Sequence, residues 1–216
     1  MTLFSRLKSD NKAIWDSFVN HKFVIQLANG TLENSSFKYY LGQDYLFLIH
    51  FARAYALAAY KSGNLVEIKQ AVIGLNAIID FEMELHVKFC ADWDLSEDEM
   101  EVLPEAFETM AYTRYVLEKG LSGDLLDLHV ALAPCIIGYA EIGNSFKSQI
   151  KNNPYGSWIE MYASDEYQAL AKAEIRQLDN LMSTRGGEGR FKELSKIFNQ
   201  SVRLEIDFWQ MGLNAE

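Results

Sequence analysis

The chain has 216 residues, 49% hydrophobic and 13% aromatic, with 20 basic against 30 acidic residues, 20 − 30 giving a formal charge of −10. That length and apolar content allow a substantial core, and the acidic balance argues against a nucleic-acid partner. Two cysteines outside any paired motif suggest reduced thiols and a cytoplasmic setting, and three prolines with few alternating β-branched runs predict an all-α fold.

The N-terminus, MTLFSRLKSDNKAIWDSF, lacks the apolar core of a signal peptide, and no later run reaches membrane-span length without charges. No repeat or linker is visible, so residues 1–216 read as a single domain. The first helices are expected over 2–19 and 21–28, with Gly30 as the residue past the second. The next, 36–61, carries the stripe Phe37, Tyr40, Leu41, Asp44, Phe47, Leu48, Phe51, Tyr55. Asp44 is the odd member. A buried carboxylate costs several kcal/mol unless paired or hydrogen-bonded, so it is either a structural carboxylate or a functional one.

Asn64 opens a helix to about residue 92, with the stripe Ile68, Val72, Leu75, Ile79, Glu82, His86, Phe89, Trp93. Glu82 and His86 share a face, as ligands in a helical-bundle metal site do, but the Glu-x-x-His pairs of di-iron bundles are absent. A charge-assisted hydrogen bond at the core's edge is the plainer reading. Ser96 and Glu99 spell a capping box. Pro104 is expected in the first turn of a helix closed by Gly120, which carries Tyr112 and Tyr115.

Residues 124–151 predict one long helix holding Cys135 beside Pro134, which removes a backbone donor and should kink it there. Tyr139 lies one turn on. Cys135 reads as a nucleophile or as ordinary core, since free cysteine is often buried as a small hydrophobe. A helix start follows at Ser164, then the flexible-looking TRGGEGR loop. The last helix, 190–213, places Glu205 inside the stripe Phe198, Val202, Phe208, Trp209. Three helices therefore each set one reactive group in an apolar face: Asp44, Cys135 and Glu205. A nucleophile with two acid–base groups predicts a shared polar pocket in a bundle core.

The blocks FKYYLGQDYLFLIHFARAYA (37–56), MELHVKF (83–89), ALAPCIIGYAEIG (131–143), NPYGSWIEMYAS (153–164) and SVRLEIDFWQMG (201–212) occur in an order and spacing that resemble the TenA family, thiaminase II or aminopyrimidine aminohydrolase. The PC-x-x-GY block matches the branch that retains a cysteine. The resemblance implies a haem-oxygenase-like helical bundle, assembled as a homotetramer, that needs no metal or cofactor. It implies hydrolysis of aminomethylpyrimidine to hydroxymethylpyrimidine with release of ammonia, and cleavage of thiamin with release of its thiazole. Cys135 matches the family nucleophile and Glu205 the acid–base carboxylate. Asp44 matches the group that grips the aminopyrimidine edge. Phe47, Tyr112, Tyr139, Tyr162 and Phe208 match pocket positions, Phe47 standing where many members carry tyrosine.

The chemistry suits these groups. A thiolate can add to an electron-poor ring carbon, after which the ring's electrons expel the group on the attached methylene. Hydrogen bonding or protonation of the ring nitrogens makes the ring more electrophilic. Burial of a glutamate favours its acid form, as general acid catalysis requires. Two other readings remain open from sequence: a haem-oxygenase-like metal-dependent oxidase using Glu82 and His86, and a non-catalytic pyrimidine-binding or regulatory protein.

Overall fold

The computed structural model describes residues 1–215, and every regular element among them is helical. In chain order these are α1 (Leu3–Asp10), α2 (Lys12–Val19), α3 (Lys22–Ala28), α4 (Asn34–Lys61) and α5 (Leu65–Asn76), a π-helical segment (Ala77–Glu82), then α6 (Met83–Ala91), α7 (Glu97–Glu101), α8 (Phe107–Ser122) and α9 (Leu125–Ala133). A second π segment (Pro134–Gly138) leads into α10 (Tyr139–Ser145), followed by α11 (Gly156–Ala163), α12 (Asp165–Arg185) and α13 (Phe191–Leu213).

Several boundaries differ from expectation for local reasons. The helix read over 2–19 is two helices. Asn11 leaves helical geometry between them, and its side-chain amide donates to the Leu7 carbonyl and the Ser195 hydroxyl. Pro104 lies before α8 rather than in its first turn. Gln43 holds that stretch out of the helix, donating to the Pro104 carbonyl at 3.0 Å and accepting from the Ala106 amide at 2.8 Å. Gly120 does not close α8. A Cβ there would stand 2.7 Å from Leu57 Cδ2, so the glycine serves packing inside the helix. The long helix read to 151 gives out at Ser145, with Phe146 outside helical geometry. Gly30, at φ +71°, and the Ser96–Glu99 capping box fall where expected.

The chain forms two compact units. One comprises Met1–Leu32 and His129–Gln210; the other comprises Glu33–Leu128 and the residues from Met211. The first is cored by fully buried Trp15, Phe18, Phe23, Phe198 and Trp209. Trp15 stacks on Phe198 at 5.6 Å and Trp209 on Phe23 at 5.1 Å. The expected α13 stripe is buried from Phe198 to Trp209. In the second unit the whole α4 stripe is buried, Asp44 included. The stripe read for α5 is not: Ile68, Val72 and Ile79 are exposed, while Ala71 and Ile78 are buried. Small residues set that face, because a Cβ on Gly74 would stand 2.2 Å from the Tyr55 ring. The stretch Leu125–Ser145 is apolar enough for a membrane span, with mean hydropathy 1.5, yet 89% of it is buried in the protein.

Gly143 gives a direct test of the packing in the first unit. A Cβ there would lie 2.5 Å from the Tyr162 carbonyl carbon and 2.7 Å from the Ala163 amide nitrogen, both backbone atoms of α11. Gly143→Ala is expected to cost about 1–3 kcal/mol through overpacking. Thermal denaturation should show a midpoint lower by several degrees.

Candidate active site

Cys135 lies in the second π segment. Pro134 has no N–H to return to the preceding turn, and the helix takes the wider register there. A kink is expected at the proline; the structure shows a π turn there. Cys135 keeps partial exposure while Pro134, Ile136, Ile137 and Gly138 around it are buried. Cys90 is its opposite. It is wholly buried, and burial together with the nearby Asp44 carboxyl pushes its thiol up to about 12. That leaves Cys90 a neutral thiol and Cys135 the cysteine with access to a reactant.

In the same unit Tyr139, four residues on, is buried in an aromatic cluster. Its ring lies 4.9 Å from Tyr162 and 5.1 Å from Trp209. Tyr162 is buried on α11, edge-on to Trp158 at 4.6 Å. The Gln168 amide fixes that corner by donating to the Ala140 and Tyr162 carbonyls. Glu205 and Phe208 are 1% and 2% exposed on one face of α13. A glutamate so deeply buried is not placed for solubility.

The second unit holds Asp44, Phe47 and Tyr112. Phe47 and Tyr112 pack ring to ring at 5.1 Å. The Tyr40 hydroxyl, one turn before Asp44, donates to Asp44 Oδ2 at 3.3 Å. Burial, then the Glu82 carboxyl, pushes the Asp44 carboxyl up to about 8, against the pull of Tyr40. Glu82, at the end of the first π segment, is itself pushed by burial to about 7. His86 is not the partner of Glu82 that the spacing suggested. Its Nε2 lies 3.0 Å from the Leu41 carbonyl and its Nδ1 3.6 Å from Asp44 Oδ2. Burial lowers it to about 4.

Among the described residues no group of three or more His, Cys, Asp or Glu side chains is placed to hold a metal ion. Sequence reading gave no warning of the two π segments, although Pro134 marks one of them. A bond from a tyrosine was one reading of Asp44, but sequence did not single out Tyr40, nor did it connect Glu82 and His86 to Asp44. The four-residue step from Tyr40 to Asp44 was the available signal for the first.

These residues sit in a framework shared with known proteins. A model of the TENA/THI-4/PQQC family matches residues 9–215. The chain belongs to that family. It is 37% identical to an aminopyrimidine aminohydrolase of Halalkalibacterium halodurans, over 99% of this chain and 96% of that one. A crystal structure described as a TenA family transcription regulator, from Silicibacter sp. TM1040, superposes with a TM-score of 0.94 at 43% identity, covering 98% and 96% of the two chains. A Shewanella denitrificans domain with a haem oxygenase-like fold superposes at 0.74, covering 96% and 90%, with 13% identity, and speaks to the fold alone. The all-α, haem-oxygenase-like architecture read for this family member is the one observed.

Proposed function

We propose that this chain is an aminopyrimidine aminohydrolase that converts aminomethylpyrimidine and water into hydroxymethylpyrimidine and ammonia, with Cys135 as nucleophile. The observation that carries the reading is Cys135 itself, a partly exposed thiol in a π turn whose other residues are buried, in a chain 37% identical over nearly its full length to a relative named for this activity.

In the proposed cycle the Cys135 thiolate adds to an electron-poor ring carbon while a ring nitrogen is protonated. The ring's electrons then expel the amine from the methylene, and Glu205 supplies the proton that makes ammonia the leaving group. Water adds to the exposed methylene and returns a proton to Glu205. The ring nitrogen gives up its proton as the thiolate departs. Asp44 takes the polar edge of the pyrimidine, and Phe47, Tyr112, Tyr139, Tyr162 and Phe208 supply aromatic walls and hydroxyls. Thiamin, which carries a thiazole on the same methylene, is the second proposed substrate. We further propose a cytoplasmic homotetramer acting as one functional domain per chain. The exposed apolar face of α5, with Leu65, Val66, Ile68, Val72 and Ile73, is a surface suited to subunit contact.

The cycle asks nothing of a metal or cofactor. Ammonia release from aminomethylpyrimidine should therefore persist after exhaustive chelation. Loss of activity on chelation, restored by one added metal, would instead favour the oxidase-like reading. Pyrimidine binding without turnover would favour the regulatory one.

A further inference from the structure

Glu82 and His86 have no task in the cycle above, yet His86 lies against Asp44 and the Glu82 carboxyl acts on it through its charge. Asp44 Oδ2 is the atom that receives the Tyr40 hydroxyl at 3.3 Å and lies 3.6 Å from His86 Nδ1. Among the described residues Tyr40 from α4 and His86 from α6 lie against Asp44, and Glu82 from the π segment and Cys90 from α6 are coupled to it by charge. None of them carries a fixed positive charge.

The histidine's protonation follows from its partners. A backbone carbonyl only accepts, so the Nε2 that lies 3.0 Å from the Leu41 carbonyl bears the ring's hydrogen. In the neutral imidazole, Nδ1 then offers a lone pair towards Asp44. A lone pair favours a carboxylic acid beside it, and the Glu82 carboxyl disfavours a second negative charge. An ordinary aspartate titrates near ~3.9 and holds no proton at neutral pH.

We propose that Glu82 and His86 are positioning residues that act through Asp44: they keep its carboxyl protonated, so that Asp44 meets the aminopyrimidine as a neutral acid and gives a ring nitrogen its proton. The inference rests on the aminopyrimidine hydrolase reading and names the source of the ring proton. In the step, the O–H bond of Asp44 breaks and an N–H bond forms on the ring. The carboxylate left behind accepts from the exocyclic amine of the substrate and from Tyr40. The ring gains the positive charge that invites the thiolate. When the thiolate departs and the ring gives up that proton, it returns to Asp44. The upward displacement of Asp44 to about 8 and the depression of His86 to about 4 agree with this assignment.

Two variants separate this role from packing. Glu82→Gln keeps the shape and removes the charge. His86→Gln keeps an N–H for the Leu41 carbonyl and removes the lone pair at the Nδ1 position. Each is expected to move the alkaline limb of the kcat/KM profile to lower pH by about one unit or more, a tenfold loss at fixed pH on that limb. Infrared difference spectra of ligand-free wild type against Asp44→Asn, at neutral pH, should show an Asp44 carboxylic-acid band. Alkaline limbs that coincide with wild type in both variants would overturn the inference, as would a carboxylate band from Asp44 at neutral pH. The infrared measurement needs no substrate. A carboxylate band therefore refutes this inference alone, whereas a wild-type chain that turns over no pyrimidine refutes the functional reading itself.

Discussion

Cys135→Ser is expected to lower turnover of aminomethylpyrimidine on the order of 10³–10⁶-fold, the range seen when a covalent nucleophile is removed. Serine keeps nearly the volume of cysteine but hardly ionises near neutral pH, so it supplies no competent nucleophile. Folding should be little affected, because Cys135 is partly exposed and serine nearly keeps its volume and polarity. Glu205→Gln keeps the buried shape and removes proton transfer, an expected loss of about 10²–10⁴-fold. If thiol and carboxyl serve one cycle, the effects will not multiply, and the double variant will be little worse than the worse single one. Cys90→Ser is the control. Its thiol is buried and held neutral, so near-normal kcat is expected. Steady-state kinetics of the four variants check the set. A fully active Cys135→Ser beside an inactive Cys90→Ser would reverse the assignment.

Asp44→Ala is expected to weaken pyrimidine binding by about ten- to 150-fold, the ~1.5–3 kcal/mol of a charge-assisted hydrogen bond. Calorimetric titration with the pyrimidine reads this directly, and unchanged affinity would make Asp44 a structural residue. Its stability effect should have the opposite sign. An unfolded aspartate titrates near ~3.9, whereas the folded carboxyl titrates at about 8. Between those values the folded chain holds a proton that the unfolded chain has lost, so this group's contribution to stability falls as pH rises across the window. Above about 8 both states are ionised and the loss is complete. Asp44→Asn removes that dependence. The variant should gain stability over wild type as the pH is raised towards 8, which denaturant titrations at several pH values can follow.

The legible parts of this fold were those where one residue type dictates one local outcome. Apolar stripes on α4 and α13 mapped to buried faces, and Gly30, Ser96 and Ser164 marked helix ends through backbone freedom and capping oxygens. Asp44 and Glu205 stood out because a carboxyl in an apolar stripe has no packing rationale. Periodicity misled on α5, where the contact face is set by Ala71 and Gly74 rather than by the larger aliphatic residues. Gly120 misled for a related reason, since a glycine that admits Leu57 looks in sequence like a helix terminator. The neighbours of Asp44 were illegible because Glu82 and His86 reach it from other segments, and a spacing of four between them suggested a pair that does not form.

Incubation of the purified chain with aminomethylpyrimidine in ¹⁸O-labelled water tests the central claim most directly. The account expects ammonia and hydroxymethylpyrimidine in equal amounts, the hydroxymethyl oxygen drawn from solvent, and neither product above background with Cys135→Ser. Binding without products, or products formed at the same rate by Cys135→Ser, would contradict it.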